Sequence, residues 1–187
     1  MKGLFQFGFE VAKVVIIALV IVVPLRVFVF QPFLVRGDSM EPNYHSGDYL
    51  IVDQLSYRLR SPERGEVIVL KFPFDLSQRF IKRIVGLPGE TVEVKDGKVL
   101  VYGEEEGQRD AVVLDESIYL PLDLTTPGSA RIDLKKQEYF VLGDNRPFSS
   151  DSRKWGVLSK ELIVGKVLFN VFSLEAFAKE IVPKEAY

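Results

Sequence analysis

The sequence predicts a mainly β protein: an antiparallel β-sheet domain preceded by one N-terminal transmembrane helix. The first observation is an unbroken apolar run from Val14 to Leu25. The second is that, after Phe30, short apolar or alternating segments follow one another, separated by turn residues, as in antiparallel β proteins. The third is Asp96-Gly97 between two alternating segments, which is the strongest short-range signal for a β-hairpin.

The apolar run continues beyond Arg26 to Phe30 and approaches the length of a bilayer span. The sequence that follows, "FQPFLVRGDSM", is bulky and contains proline, whereas a cleaved signal peptide ends in small residues. We therefore predict an uncleaved transmembrane anchor at 9–30, after a short cytoplasmic segment at 1–8. A buried or interfacial helix is the alternative, because Lys13 and Arg26 flank the run; long side chains near the ends of a span can, however, reach water.

The β-type segments define a predicted β-rich domain at 31–175. Within it, about 97–135 is a candidate inserted, non-catalytic β region, and 176–187 form a C-terminal tail. "SKELI" predicts a short helical turn, while "GEEEGQRD" and "DLTTPGSAR" predict solvated loops. The predicted strands are "DYLIVDQL", "GEVIVLKF", "RFIKRIVG", the two halves of "ETVEVKDGKVLVYG", "QEYFVLGD" and "GKVLFNVF".

Composition excludes several classes of function. The formal net charge is -2 and no Lys/Arg block with interleaved aromatic residues occurs, so we expect no nucleic-acid partner. The chain has no cysteine and a single histidine, His45, so disulfides, thiolate chemistry and the usual zinc spacings are excluded. We expect no metal and no cofactor.

Ser39 is the first candidate for chemistry. It lies in "VRGDSMEPNYHSGD", on a turn rich in Gly, Asp and Pro, a few residues beyond the predicted anchor. An ordinary turn serine that bonds its own backbone is the alternative. A serine hydroxyl is a weak nucleophile, so a catalytic Ser39 needs a base to take its proton.

Two residues are candidates for that base. His45 is close in sequence, but a lone histidine in a polar loop is usually solvated. Lys82 lies in the strand "FIKRIVG", whose two faces are both apolar. Burial lowers the pKa of a lysine, and a neutral amine accepts a proton; a lysine that reaches water along its apolar neighbours is an equally good interpretation of this segment. Arg83 stays protonated, so a structural ion pair on the opposite face is expected for it.

The third constellation is "GDNRPFSSDSR", residues 143–153, which follows the strand "EYFVL". A buried amine needs hydroxyl or carbonyl partners, and Ser149 or Ser150 can supply one. A tight polar turn that satisfies its own backbone is the alternative. For Asp151 and Arg153 we predict a structural role that shapes the site.

Together, "GDSMEPN", "GDYLIV", "FIKRIVGLPGE" and "GDNRPFSSDSR", in this order and after an N-terminal anchor, resemble the bacterial type I signal peptidases. The resemblance covers Gly37 to about Val171. It implies a serine endopeptidase with a Ser/Lys dyad in the β-rich domain at 31–175, acting on signal-peptide-bearing preproteins. It also implies location in the bacterial cytoplasmic membrane as a single-pass protein, with the lipid bilayer as a partner and the catalytic domain on the extracytoplasmic side.

By the same resemblance, Ser39 matches the nucleophile and Lys82 the general base. Ser149 matches the serine whose hydroxyl orients that lysine, and Asp151 with Arg153 matches the pair that braces the site. Gly37 and Met40 are expected to be supporting residues.

The sequence departs from the family pattern in two places. Gly37 stands where many members have a serine that helps to hold the oxyanion, so the backbone of Ser39 and a second donor, with the Gly37 backbone as a candidate, must take that role. Pro147 and Phe148 occupy positions that are more polar in some relatives and lie next to Ser149, where they can alter the rim of the pocket.

Two other classes of function compete with this interpretation. A self-cleaving Ser/Lys peptidase shares the dyad, but no helix-turn-helix precedes Ser39. A membrane-tethered, non-catalytic β-rich binding module leaves the pairing of the motifs unexplained.

Overall fold

The structure, a computed structural model, describes residues 2–24, 30–103 and 111–171. The described residues form eleven β-strands, one long N-terminal helix and several short helices, numbered here in chain order. The strands are β1 (Phe30–Leu34), β2 (Tyr49–Asp53), β3 (Val67–Phe72), β4 (Asp75–Gly86), β5 (Thr91–Lys95), β6 (Lys98–Tyr102), β7 (Val112–Val113), β8 (Ala130–Asp133), β9 (Glu138–Leu142), β10 (Leu158–Ser159) and β11 (Ile163–Val171). The helices are α1 (Lys2–Pro24), α2 (Ser56–Leu59) and α3 (Ser152–Trp155), with 3-10 turns at Arg146–Phe148 and Lys160–Leu162.

Two antiparallel sheets make up the β domain. The larger has the order β1-β2-β11-β3-β4-β9-β10 and the smaller the order β7-β6-β5-β8. Every strand pair in both sheets is antiparallel, which confirms the predicted mainly antiparallel class. The most extensive pairing joins β3 to β4 and sets Val67 opposite Arg83 and Ile68 opposite Lys82.

The N-terminal helix α1 covers much of the segment predicted to span the membrane, and large apolar side chains along it, such as Phe9 and Val20, are exposed. In the part of the chain that the structure describes, no helix combines the length and the apolarity needed to cross a bilayer. The anchor at 9–30 stays a prediction. Residues 25–29, which belong to the same predicted anchor, lie outside the described residues.

Buried apolar side chains fall into three clusters. One joins Met40 to Leu50 and Val52 of β2 and Val69 of β3, directly behind the loop that carries Ser39. A second lies between the two sheets, where residues of β4 and β9 meet those of β5 and β6. The third packs the central strands of the larger sheet against Leu158. Continuous burial of Leu142 and its neighbours in β9 explains why "EYFVL" has no polar alternation.

The smaller sheet confirms one sequence prediction and corrects another. Lys95 pairs with Lys98 across Asp96-Gly97, and both turn residues have positive φ, 51° and 75°, as a two-residue hairpin requires. The segment "DLTTPGSAR", however, is not wholly a loop. Its last residues enter β8, which pairs with β5, because Ala130 and Ile132 pack against the core between the sheets.

Two other predictions concern the end of the chain. The turn expected at "SKELI" is present as the 3-10 turn Lys160–Leu162, which leads into β11. The tail predicted at 176–187 lies outside the described residues, as do residues 104–110 of the loop "GEEEGQRD".

Two of the strand edges that have no partner among the described residues border one cleft. Strand β1 pairs only with β2, so its outer edge is open. Strand β4 pairs with β9 only from Arg83 onward. The edge of β4 that faces β9 is therefore open over the residues before Arg83. The end of β1 and this part of β4 line one cleft of about 550 Å³.

Candidate active site

The loop after β1 carries Ser39 into the cleft. The residue after it, Met40, is completely buried in the cluster behind the loop and fixes the chain there. From the other side, the Asn145 backbone N–H donates to the Ser39 carbonyl at 3.1 Å, and the Asn145 side-chain amide donates to the Asp38 carbonyl at 2.9 Å. The loop of residues 143–148 thus holds the backbone of Ser39 in place.

Strand β4 brings Lys82 to the same point. Its Nζ lies 2.7 Å from the Ser39 Oγ and donates a second hydrogen bond to the Ile81 carbonyl at 2.8 Å. The residue is only 3% exposed, and the ring of Phe80, two residues earlier on the same face, lies 5.4 Å from Nζ. The Lys82 amine therefore contacts the Ser39 hydroxyl and has almost no contact with water.

Burial changes the acidity of this amine. Desolvation lowers the pKa of Lys82 from 10.5 to about 8, while the negative charges of Asp151 and Asp144 act in the opposite direction. A lysine with this pKa is partly neutral in mildly alkaline water. The separation of 2.7 Å then also allows the Ser39 hydroxyl to donate its proton to the Nζ lone pair.

Arg83 points to the opposite face of β4. Its guanidinium forms a two-point ion pair with Asp144, with Nε at 2.8 Å from Oδ1 and Nη2 at 2.6 Å from Oδ2, and Nη1 donates to the Gly65 carbonyl. The ring of Tyr119 covers the guanidinium at 4.1 Å. The structural ion pair expected for Arg83 is confirmed.

Asp151 and Arg153 form a second buried ion pair, in contact with the loop of residues 143–148. Arg153 Nε donates to Oδ1 at 2.8 Å and Nη2 to Oδ2 at 2.7 Å, while the Gly143 N–H donates to Oδ2 at 3.1 Å. Burial alone would raise the pKa of the Asp151 carboxyl, but the hydrogen bonds and charge of Arg153 outweigh it, so the pKa is lowered.

Ser149 is buried beside this pair. Its hydroxyl is close enough to Asp151 to help lower the pKa of that carboxyl, yet among the described residues its Oγ makes no hydrogen bond of normal geometry, neither to Asp151 nor to Lys82. A Cβ added to Gly143 would overlap both the Ser149 Oγ and the Ser39 carbonyl oxygen. Glycine at 143 therefore permits the contact between the two loops.

The remaining sequence candidates occupy different places. Gly37 has a φ of +86°, and its N–H donates to the Ser46 Oγ at 3.2 Å, so this donor is already engaged. Among the described residues, the Ser39 N–H has no acceptor. The His45 side chain is 62% exposed and lies 4.0 Å from Asp48, and its described contacts do not include Ser39.

Sequence analysis missed one group of supporting residues, contributed by the segment 111–131. Glu116 forms a two-point ion pair with the buried Arg146, which also donates to Thr126 and to the Gly143 carbonyl. Asn43, from the Ser39 loop, donates both to the Tyr119 carbonyl at 2.7 Å and to Asp144 at 2.8 Å. Arg146 was the one sequence feature that pointed to this group, because a buried guanidinium requires a carboxylate partner. The position of that carboxylate in the sequence cannot be deduced from the arginine.

In the ranges that the structure describes, no group of three or more His, Cys, Asp or Glu side chains is placed so that it could hold a metal ion. The cleft is lined by Ser39 and Lys82, by apolar side chains of β1, β4 and the loop 143–150, and by charged residues that include Arg36, Asp38 and Arg79. In such a cleft, the amine can accept the proton of the hydroxyl, and the hydroxyl oxygen can then attack an electrophilic carbon.

Comparison with known proteins identifies the family of the chain. Residues 8–172 match the family model described as signal peptidase, peptidase S26. A probable signal peptidase I-1 of Synechocystis sp. is 37% identical over 175 residues, which cover 89% of this chain and 84% of that protein. A signal peptidase I of Bacillus licheniformis is 31% identical over 179 residues, covering 91% of this chain and 92% of that protein.

Among solved structures, a signal peptidase I from Enterococcus faecalis V583 is 30% identical, with a TM-score of 0.46, and the match covers 59% of this chain and 98% of that chain. The sequence relatives define the class, which is that of the peptidases. Within that class, the chain belongs to the signal peptidase family, peptidase S26.

Proposed function

We propose that this protein is a serine endopeptidase that removes N-terminal signal peptides from exported preproteins, with Ser39 as nucleophile and Lys82 as general base. The observation that carries the proposal is the 2.7 Å separation between the Lys82 Nζ and the Ser39 Oγ, in a site where burial lowers the pKa of the amine to about 8. The names of the relatives support the substrate class.

The reaction follows from these two groups. Neutral Lys82 takes the Ser39 proton as the Oγ attacks the scissile carbonyl carbon, and the carbonyl electrons move onto its oxygen. When the tetrahedral intermediate collapses, the C–N bond breaks and the Lys82 ammonium gives its proton to the leaving amine. Lys82 then takes a proton from water as the hydroxide attacks the acyl-ester carbon. When this second tetrahedral intermediate collapses, the C–Oγ bond breaks and the Lys82 ammonium returns its proton to the Ser39 Oγ, which frees the carboxylic acid product and restores both residues.

The oxyanion needs donors that point into the cleft. The Ser39 N–H is the best candidate because it has no acceptor among the described residues. The Gly37 N–H, the other donor expected from the sequence, is engaged with Ser46 and would have to exchange that partner for the substrate oxygen. Ser149 is proposed to orient Lys82, with Asp151 and Arg153 bracing the loop behind it.

The open edges of β1 and β4 suggest how the substrate is held. Both edges border the cleft that contains the dyad, and an extended peptide between them can hydrogen-bond to their free backbone groups. Such pairing presents the peptide backbone, and thus a scissile carbonyl, to Ser39.

The proposal includes attachment to the bacterial cytoplasmic membrane through 9–30, with the catalytic domain on the extracytoplasmic side. It is supported by the apolar run and by the exposed apolar side chains of α1, which would be covered by lipid. Flotation of the full chain with vesicles tests this part separately: protein that stays in the soluble fraction contradicts the anchor and leaves the peptidase proposal standing.

Cleavage of a purified preprotein by the full chain tests the chemistry. We expect Ser39→Ala and Lys82→Met to abolish cleavage and His45→Ala to retain it, with the cut located by mass spectrometry. Cleavage by Lys82→Met, together with inactivity of His45→Ala, would assign the base to the histidine. No cleavage by any form, with an active relative as positive control, would favour the non-catalytic binding module.

A further inference from the structure

One aromatic side chain in the candidate active site is largely exposed among the residues that the structure describes. Phe148 is 80% exposed, and it lines the same cleft as Ser39 and Lys82. A phenylalanine left in water loses the free energy that burial of its ring would provide. Neither the dyad nor the buried ion pairs around it require a ring at this position.

The backbone that carries Phe148 is firmly held. The residues two before and one after it, Arg146 and Ser149, are both buried, and the Arg146 carbonyl accepts a hydrogen bond of 2.7 Å from Arg153. The Phe148 N–H donates to the Asn145 carbonyl at 3.1 Å, and Pro147 restricts the backbone between them. The exposed ring therefore projects from a rigid turn rather than from a mobile loop.

Part of the cleft wall is apolar, as this ring is, while Arg36, Asp38 and Arg79 contribute charged groups elsewhere in the lining. Leu34 of β1 and Phe80 and Ile81 of β4 line the walls formed by the strands, and Phe148 adds an apolar surface from the loop that follows β9. An aromatic side chain on a rigid support binds an apolar group with little loss of conformational entropy, which is why such residues dominate binding energy at interfaces.

We propose that Phe148 is a specificity-determining residue, whose ring contacts an apolar side chain of the bound preprotein within a few residues of the scissile bond. This inference rests on the proposed function and deepens it. It assigns a preference for one apolar substrate side chain to a residue outside the reacting pair.

The test compares the full-length wild type with Phe148→Ala and Phe148→Leu. Preprotein substrates carry either Leu or Asn at each position from four before to two after the cut, and kcat/KM is measured for each. The matched control is Phe74→Ala. Phe74 is 76% exposed in the β3–β4 connection and is not among the described residues that line the cleft.

At one position, we expect wild type and Phe74→Ala to prefer the Leu substrate by about tenfold, the discrimination typical of an apolar contact. Phe148→Ala should lose this preference while cleaving the Asn substrate normally, and Phe148→Leu should keep part of it. The same preference in Phe148→Ala as in wild type overturns the proposal. An equal loss on every substrate also overturns it, because that result indicates a structural role.

The same assay separates this proposal from the proposed function. Cleavage by wild type and its loss in Ser39→Ala report on the peptidase, whereas only the ratio between Leu and Asn substrates reports on Phe148. If no form cleaves, the affinities of Ser39→Ala and of Ser39→Ala with Phe148→Ala for the same uncleaved peptides decide the specificity proposal by the same ratio.

Discussion

Arg83 and Asp144 form a two-point ion pair almost completely withdrawn from solvent, on the face of β4 opposite to the one that presents Lys82 to Ser39. The two adjacent cations of one strand thus have opposite environments. The guanidinium is fully compensated by a carboxylate, a carbonyl and an aromatic ring, whereas the amine is buried without a direct carboxylate partner. Desolvation lowers the pKa of Lys82 and outweighs the opposing negative charges of Asp151 and Asp144.

Replacing Arg83 by Met should destabilise the protein by about 3–5 kcal/mol, because it leaves the Asp144 carboxylate buried without its partner. Urea unfolding followed by circular dichroism measures the change. The matched control is Arg131→Met, which breaks the more exposed pair with Glu93 and should cost less than about 1 kcal/mol. Equal losses for the two variants would contradict the special role of burial.

The activity should rise as the pH is raised through about 8. Only neutral Lys82 can take the Ser39 proton, and burial lowers the pKa of this amine to about 8, so acid protonates the base and stops the first step. The measurement is kcat/KM against pH on one preprotein. A profile that is flat from pH 6 to 9 would exclude Lys82 as the general base.

The same amine should make folding stability depend on pH. Between its folded pKa of about 8 and its ordinary value of 10.5, the unfolded chain binds a proton that the folded protein has released, so stability rises with pH in this window. Below the window both states are protonated and the dependence ends.

The Lys82→Met variant has no amine to titrate at this position. From pH 8 to 10.5, the free energy of unfolding of wild type should therefore increase by about 3 kcal/mol relative to that of the variant. One unit of pKa shift corresponds to about 1.36 kcal/mol. Denaturant unfolding of both proteins at several pH values measures the difference. Because the tyrosines titrate in both proteins, their contribution cancels. Parallel curves would mean that the amine is not desolvated.

Gly143→Ala should reduce kcat/KM by about 100-fold, since the added methyl overlaps the Ser149 hydroxyl and the Ser39 carbonyl and must displace the nucleophile loop. Gly128→Ala is the control: Gly128 has a φ of +96°, and a Cβ added there would meet no atom within 4 Å. That variant should lose about 1 kcal/mol of stability through backbone strain but keep its activity. Full activity in Gly143→Ala would show that the two loops tolerate separation.

Glu116→Gln should destabilise the protein by about 3 kcal/mol and lower kcat/KM, because it leaves the buried Arg146 without a counter-charge beside Gly143. Thermal unfolding and preprotein cleavage are the two measurements. Glu63→Gln, at a carboxylate that is 71% exposed, should change neither. If Glu116→Gln behaves in the same way as Glu63→Gln, the segment 111–131 does not support the site.

The sequence predicted the parts of the fold that depend on local pattern. The alternation around Asp96-Gly97 predicted a hairpin, and the lysine in "FIKRIVG" suggested a buried amine as one of two equal interpretations. Strand β8 was missed because it is short and directly follows Gly128 and Ser129, which are typical of loops. Its pairing with β5 is a long-range contact that local sequence does not indicate. Tertiary pairing decided its structure rather than local propensity.

The same distinction applies to the candidate site. Ser39 and Lys82 were named from motifs, and the structure brings their side chains together. Glu116, Tyr119 and Asn43 were missed because each acts through a contact with a residue far away in sequence, and nothing in their neighbours' periodicity indicates that contact. Ion-pair partners of buried arginines are determined by the tertiary fold, which a local pattern does not encode.

The open edges of β1 and β4 also have a consequence for inhibition. Backbone groups offer the same donors and acceptors to every extended chain, so these edges should accept a peptide of almost any sequence, including the product after the cut. A cleaved fragment that stays hydrogen-bonded to both strands would delay binding of the next substrate. Compounds that imitate a strand backbone should therefore compete with substrate even when they carry no reactive group for Ser39.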